Sequence, residues 1–307
     1  MSFEFFIVVV GLVLFEVISS LDNAVINADV LRTMSARARR WFLLWGILIA
    51  VFLVRGLLPT VIVWLTSPSL GFFGAFAASF SSDQHILEVV EKAKPILLIG
   101  GGIYLVLLFL HWLFEEKKDY AFFVEHFIHK QAVWFYTFAS LILVGIAWLA
   151  IQKPLLIFSA LVGSTAFFLT SGFKKSAEEQ EKKFLTNSTA TDVSKLLYLE
   201  VLDATFSIDG VIGAFAFTIS VPLILIGNGI GAWVVRYITI KGVDTVKKFK
   251  YLKNGAMYSV GVLGVVMILE SLGREVAFWV APFNTVIIVG TFFYLSWRAL
   301  RKDNIAL

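Results

Sequence analysis

The 307-residue chain has no cysteine. That excludes a disulfide framework and any thiolate metal site. Histidine is scarce too. Its four copies, His85, His111, His126 and His129, fall in loops or at a span end, outside the acidic motifs described below, so an imidazole-dominated zinc or copper centre has no ligands to draw on. Charge is the third shortage. Only 16% of residues are Asp, Glu, Lys or Arg while 59% are hydrophobic, and no water-soluble domain of this length could hide so much apolar side chain. The composition is that of a polytopic membrane protein. The stretch from Met1 to Phe6 holds no Lys or Arg, unlike the basic start of a cleaved signal peptide, and reads as the beginning of the first span.

What is present is a series of apolar runs that predicts an all-α transmembrane bundle of about nine spans, each needing roughly 20 residues. They run from about Phe3 to Asp29, Trp41 to Leu65, Pro95 to Phe114, Ala132 to Leu149, Pro154 to Gly172, Val193 to Ser220, Pro222 to Ile240, Asn254 to Leu272 and Val276 to Ser296. The stretch from Ser67 to Lys94 is too mixed to span twice and predicts a re-entrant or surface-lying helix. The alternating charges from Lys174 to Lys183, followed by polar Thr186 to Thr191, read as a linker. Basic clusters at Arg32 to Arg40, at Lys241 to Lys253, and at Arg298 to Lys302 follow spans one, seven and nine. By the positive-inside rule they place the N-terminus outside and the C-terminus in the cytoplasm. These lysine-rich loops are topology determinants rather than nucleic-acid sites.

Two of the spans carry acids where hydrocarbon should be. Span six contains Glu200, Asp203 and Asp209, with Ser207 between the last two, and span one contains Glu16, Asp22 and Asn23. Each charge near a bilayer centre costs roughly 2.5–3.5 kcal/mol on insertion scales, so acids at this density mark a site. Superposing Ser20-Leu21-Asp22 on Ser207-Ile208-Asp209 brings Glu16 onto Asp203. Other positions repeat in the same order: Gly46 with Arg55 against Gly227 with Arg236, and Gly101 with Tyr104 against Gly255 with Tyr258. Spans one and six cross in opposite senses, which predicts two inverted three-helix repeats, a recurring transporter architecture with its site near the midplane. The chain then divides into a first repeat (1–114), a connecting region with two spans (115–192), a second repeat (193–272) and a final span with its tail (273–307).

The oxygen donors on offer, Glu16, Asp22, Asn23, Glu200, Asp203, Ser207 and Asp209, suit a hard divalent cation such as Mn²⁺, Mg²⁺ or Ca²⁺. Arg55 and Arg236 read as fixed counter-ions. Five carboxylates against those two arginines and one divalent cation leave about one excess negative charge, a balance that suits proton coupling. On ideal helices the acids point in different directions, so sharing one ion requires local unwinding near residues 19–23 and 205–210. Buried acid–arginine pairing without transport is the competing explanation.

Glu-x5-Asp-Asn at Glu16, Asp22 and Asn23, with Glu-x2-Asp-x3-Ser-x-Asp at Glu200, Asp203, Ser207 and Asp209, resembles the TerC family of tellurite-resistance-associated membrane proteins of the lysine-exporter-like superfamily. The resemblance extends from Glu16 to about Glu270, within a branch known only as a domain of unknown function. It implies export of manganese across a bacterial inner membrane, with Glu16, Asp22, Glu200, Asp203 and Asp209 as the transport site and no resident cofactor. Export of another small solute such as an amino acid, or a non-transporting role in stress resistance, are the alternatives. Asp209-Gly210 is shared with lipid-synthase and intramembrane-protease motifs, but their further acidic spacings are missing, so no enzyme is expected. The oligomeric state is open.

Overall fold

The computed structural model describes residues 3–46, 49, 56–57, 60–61, 64, 68, 71–80, 84–116, 118, 120, 122–186, 191–241, 246 and 248–305. Among them there is no strand. The helices are α1 (Phe3–Ser19), α2 (Leu21–Arg32), α3 (Ala36–Trp41), a π-helical turn (Phe42–Gly46), α4 (Gly71–Phe80), α5 (Gln84–Phe114), α6 (Phe123–His129), a 3₁₀ turn (Ala132–Trp134), α7 (Phe135–Leu149), α8 (Pro154–Thr186), α9 (Asp192–Ala214), α10 (Val221–Lys241), α11 (Leu252–Ser271) and α12 (Val280–Ile305). Six of them are long and apolar enough to cross a membrane, and a seventh span arises if α1 and the bent continuation in α2 are counted together. The protein is an all-helical, multi-pass membrane protein. Span two, Trp41 to Leu65, lies mostly outside the described residues.

The break between α1 and α2 falls at two serines. Ser19 Oγ donates to the Glu16 carbonyl at 3.3 Å and Ser20 Oγ to Glu16 Oε1 at 2.9 Å. Serine hydroxyls that bond back to the preceding turn compete with the helical ladder and bend it. The axes of Phe3–Ser19 and Asn23–Arg32 differ by 57°. This is the local break expected near residues 19–23. Its expected counterpart near residues 205–210 does not exist: α9 runs unbroken from Asp192 to Ala214. Gly210 and Gly213 serve close packing there instead, as shown below.

Two further expectations are corrected. The segment from Lys174 to Lys183 is no linker, because α8 continues through it to Thr186. Its alternating charges extend a helix of good formers rather than interrupt one. The third span likewise starts earlier than Pro95. α5 begins at Gln84 and carries Pro95 inside it.

α5 is the hub. It packs on α8, α9 and α11, and α1 packs on α9, α10 and α12. Gly100, Gly101 and Gly102 each meet a different neighbour. A Cβ added at Gly100 would touch Ser159, one at Gly101 would touch Met267 and Ile212, and one at Gly102 would touch Ile268 and the Gly264 carbonyl. Three missing side chains thus let three helices cross one at contact distance, the small-residue packing that replaces hydrophobic drive inside a bilayer. The ends of the antiparallel pair α5 and α11 are clasped by Lys94–Glu270 at 2.5 Å and by Lys253–Glu116. Lys118 caps the last turn of α5 by donating to the Trp112 and Leu113 carbonyls at 2.8 and 2.9 Å, and burial pulls its ammonium pKa below the ordinary value.

Pairwise contacts fix the directions. Phe15 meets Gly213 and Asn23 meets Asp203, so α1–α2 and α9 are antiparallel. Gly101 meets Ile212 and Tyr104 meets Asp209, so α5 and α9 are antiparallel as well. The turn at Thr33–Ser35 therefore lies at the same end of the bundle as the start of α9, the end of α5 and Lys253. That end is tied by Lys195 Nζ to Thr33 Oγ1 at 2.9 Å and by the Ser35 amide to Asp192 at 3.3 Å. The Ser35 side chain, with its amide and Lys195, holds the Asp192 carboxyl below its usual pKa.

Because the chain is cysteine-free, single cysteines report topology cleanly. Substitution at Arg37 and at Lys248 should label from one face of the membrane, and at Lys153 and Arg274 from the other; mixed labelling within either pair would contradict these helix directions. Packing makes a second prediction. A Cβ at Gly163 would lie 2.0 Å from the Gly100 carbonyl oxygen, so Gly163→Leu should destabilise by about 1–3 kcal/mol or more. Gly145 has open space around it, and Gly145→Ala should be neutral or stabilising by up to about 1 kcal/mol in thermal unfolding in detergent.

Candidate functional site

The two acidic motifs meet where α1–α2 crosses α9, beneath α10. Glu16 is fully buried, and the space for its side chain comes from two glycines on neighbouring helices. A Cβ at Gly210 would stand 2.5 Å from Glu16 Oε2, and one at Gly231 would stand 2.6 Å from Glu16 Cβ. Gly213 similarly makes way for the Phe15 ring. Any larger residue at these places would push the acid out of the crossing.

Asp203, also buried, accepts from two sides. Asn23 Nδ2 donates to Oδ1 at 2.5 Å, and Arg236 Nη2 donates to Oδ2 at 2.9 Å. Arg236 is held independently of this pair: its Nη1 donates to the Phe42 carbonyl at 3.0 Å, and its guanidinium lies 3.9 Å over the Phe42 ring. Arg236, expected as a counter-ion, forms an ion pair with Asp203. Arg55, its expected counterpart, lies outside the described residues, as does the Asp22 side chain.

Asp209 faces elsewhere. Six residues on from Asp203, it is turned by about 120° on an unbroken helix. Its Oδ1 accepts from the Tyr104 hydroxyl and its Oδ2 from Lys174 Nζ. Tyr104 in turn lies 3.0 Å from Thr170 Oγ1. Thr170 and Lys174, four apart, share one face of α8, so a single helical turn delivers a hydroxyl and an ammonium to this corner. Glu200 is the remaining motif acid of α9. Its two oxygens are buried and have no hydrogen-bond partner among the described residues. Oε1 points at Gly46, where an added Cβ would approach it to 2.3 Å and Arg236 Nη1 to 3.1 Å. Ser207 turns its hydroxyl back onto the Asp203 carbonyl at 2.5 Å, bracing α9.

The structure therefore joins Asn23, Asp203 and Arg236 through hydrogen bonds, rests Glu16 against Gly210 and Gly231, turns Glu200 toward Gly46, and pairs Asp209 with Tyr104 and Lys174. Among the described residues, no three Asp, Glu, His or Cys side chains are grouped so as to hold a metal ion. Sequence reasoning missed Lys174, Thr170 and the role of Tyr104. The signal for Lys174 was present, because a lysine four residues after a threonine at the end of an apolar run continues the same helical face. Asn228, fully buried with both side-chain polar atoms unpartnered among the described residues, carried no motif to mark it.

Residues 21–303 match the family described as protein of unknown function (DUF475). The chain belongs to this family. Comparison with curated proteins and with solved structures gave no match.

Removing one partner of a buried pair strands the other charge, at a cost of about 3–5 kcal/mol. Arg236→Ala should lower stability by that order in thermal or denaturant unfolding. Arg236→Lys should recover little, because an ammonium cannot serve Asp203 and the Phe42 carbonyl in fork geometry while stacking on the ring. Arg236→Ala combined with Asp203→Asn should recover part of the loss.

Proposed function

We propose that this protein is a transporter that exports a divalent metal cation, manganese first among the candidates, through the carboxylates at the crossing of α1–α2 and α9. The observation that carries the proposal is Glu200: a carboxylate whose two buried oxygens have no hydrogen-bond donor among the described residues stands on the helix that also holds Asp203 and Asp209. A carboxylate so placed must be balanced by a cation, a proton or a fixed counter-charge. All donors nearby are hard oxygens, which suit Mn²⁺ over softer ions. Five carboxylates against Arg55, Arg236 and Lys174 leave a net charge of about −2, which one divalent cation balances.

The two-repeat architecture is part of this proposal. Under the superposition that aligns Glu16 with Asp203 and Asn23 with Gly210, the contact of Glu16 with Gly210 and that of Asp203 with Asn23 exchange places. α5 and α11, which carry the repeated Gly101–Tyr104 and Gly255–Tyr258 pairs, are antiparallel. Both facts support an inverted repeat with the site on its axis, and by the same operation Arg55 would serve Glu16 as Arg236 serves Asp203. By its Lys and Arg content we place the basic end of the bundle in the cytoplasm, and by the TerC resemblance the membrane as a bacterial inner membrane. The similarity of both motifs to the TerC pattern supports manganese as cargo and export as direction. No catalytic chemistry is assigned.

One observation favours a second reading. An ammonium already sits at Asp209, so a solute bearing an amino group, such as an amino acid, would find a suitable carboxylate there.

Purified protein in vesicles, offered Mn²⁺, Mg²⁺, Ca²⁺, Zn²⁺ and Cu²⁺, tests the proposal. Manganese should move fastest although Zn²⁺ and Cu²⁺ bind most oxygen and nitrogen sites more tightly. Asp22→Asn and Asp209→Asn should each reduce transport to background with insertion intact, and Asp83→Asn should leave it unchanged. Zinc moving as fast as manganese would refute the ligand assignment, and transport of an amino acid alone would select the second reading.

A further inference from the structure

Lys174 has no counterpart in the paired motifs. It comes from α8, a helix of the connecting region, yet its ammonium ion-pairs with Asp209, one of the motif acids. We propose that Lys174 is a tethered cation that occupies Asp209 when cargo is absent, and that a cation entering the site must displace it. The inference rests on the cation-transport reading and assigns the connecting helix a part in controlling that site.

The contrast with Arg236 shows which pair is built to exchange. Arg236 is anchored three ways, by Asp203, by the Phe42 carbonyl and by the Phe42 ring. Losing one partner leaves it in place. Lys174 has Asp209 as its acceptor among the described residues, with the Phe206 ring 4.8 Å from its nitrogen. A lysine is a compact charge on four flexible methylenes, free to swing, whereas the guanidinium is a planar fork fixed by its geometry. Exposure points the same way. The Lys174 side chain is 16% exposed against 7% for Arg236, so the ammonium has a wetter position to retreat to.

Asp209 is also prepared for the exchange. Tyr104 donates to one carboxylate oxygen and accepts from the Thr170 hydroxyl on α8, 3.0 Å away. When the lysine leaves, the carboxylate keeps its orientation and presents the oxygen just vacated. A buried carboxylate left with no cation is costly. Departure of the ammonium is therefore favourable only as another cation arrives, and its return is favoured as that cation leaves. A tethered, movable lysine of this kind keeps the empty carrier neutral at Asp209 and speeds release of cargo. It also sets a threshold: a cation that binds no better than an ammonium gains nothing by entering.

The test uses purified full-length protein in detergent, with Mn²⁺ as the probe. Binding of Mn²⁺ is measured by equilibrium dialysis for the unsubstituted chain, Lys174→Gln and Lys174→Arg. In parallel, reaction of Lys174 with an amine-specific acylating reagent is followed by peptide mass spectrometry with and without Mn²⁺. A competitor that holds Asp209 for nine-tenths of the time weakens apparent affinity about tenfold. Lys174→Gln should therefore bind Mn²⁺ about tenfold more tightly while its vesicle exchange slows, and Lys174→Arg should bind no better than the unsubstituted chain. Saturating Mn²⁺ should raise acylation of Lys174 several-fold. If the unsubstituted chain binds Mn²⁺ but Lys174→Gln binds equally or more weakly, the tethered-cation inference is overturned and the transport proposal stands. If neither binds Mn²⁺, the metal proposal fails and takes this inference with it. Should Lys174→Gln not fold, the acylation measurement on the unsubstituted chain decides, and an unchanged rate overturns the inference.

Discussion

A carboxylate cannot stand alone among apolar helices, and that constraint organises the centre of this molecule. α9 carries Glu200, Asp203 and Asp209 along one unbroken helix, so geometry sends them toward different neighbours and each acquires a distinct environment. Asp203 meets an arginine from α10 and an amide from α2. Asp209 meets a lysine from α8 and a phenol from α5. Glu16, on the crossing helix, takes its hydroxyl donor from Ser20. Charges that would expel an isolated helix from the bilayer instead bind its neighbours to it.

Those contacts exist only because small residues let the backbones approach. Gly210 and Gly231 form the walls against which Glu16 rests, Gly46 makes room for Glu200, and the run Gly100–Gly102 lets α5 cross three helices. Electrostatics and packing are thus one arrangement. A side chain added at Gly210 would be an overpacking error in steric terms, but its first contact would be a carboxylate oxygen.

The two ends of the bundle differ. At the basic end, Lys195 with Thr33 and Asp192 with Ser35 tie α9 to the turn after α2, and Lys118 and Lys253 close the end of α5. At the opposite end, Lys94 and Glu270 form the corresponding clasp between α5 and α11. The bonds at the basic end join the two motif-bearing helices directly, so any rearrangement that opens the acid site toward that side must break them.

Several features were legible before any coordinate. Apolar length and scarcity of charge dictate membrane-spanning helices. The spacing of Glu16, Asp22 and Asn23, and of Glu200, Asp203 and Asp209, marks the two helices that must meet, and Arg236, expected as a counter-ion, pairs with Asp203. The divergent directions of Glu16 and Asp22 on an ideal helix foretold a break near residues 19–23 that the structure has. The expectation of a matching break near Gly210 failed because glycine in a helix serves close approach as readily as unwinding, and sequence does not say which. Lys174 was placed in a linker because alternating charge marks solvent in a linear reading; only the three-dimensional path of α8 shows that the helix persists and turns that residue inward. Composition and periodicity are properties of a segment, so the sequence by itself determined the helices, their amphipathic exceptions and the need for neutralising charge. Which cation neutralises which acid depends on contacts between segments far apart in the chain, as with Lys174 and Asp209 or Asn23 and Asp203. That was decided by tertiary structure alone, through the helix rotation and the glycine-permitted approach that bring each pair within a hydrogen bond.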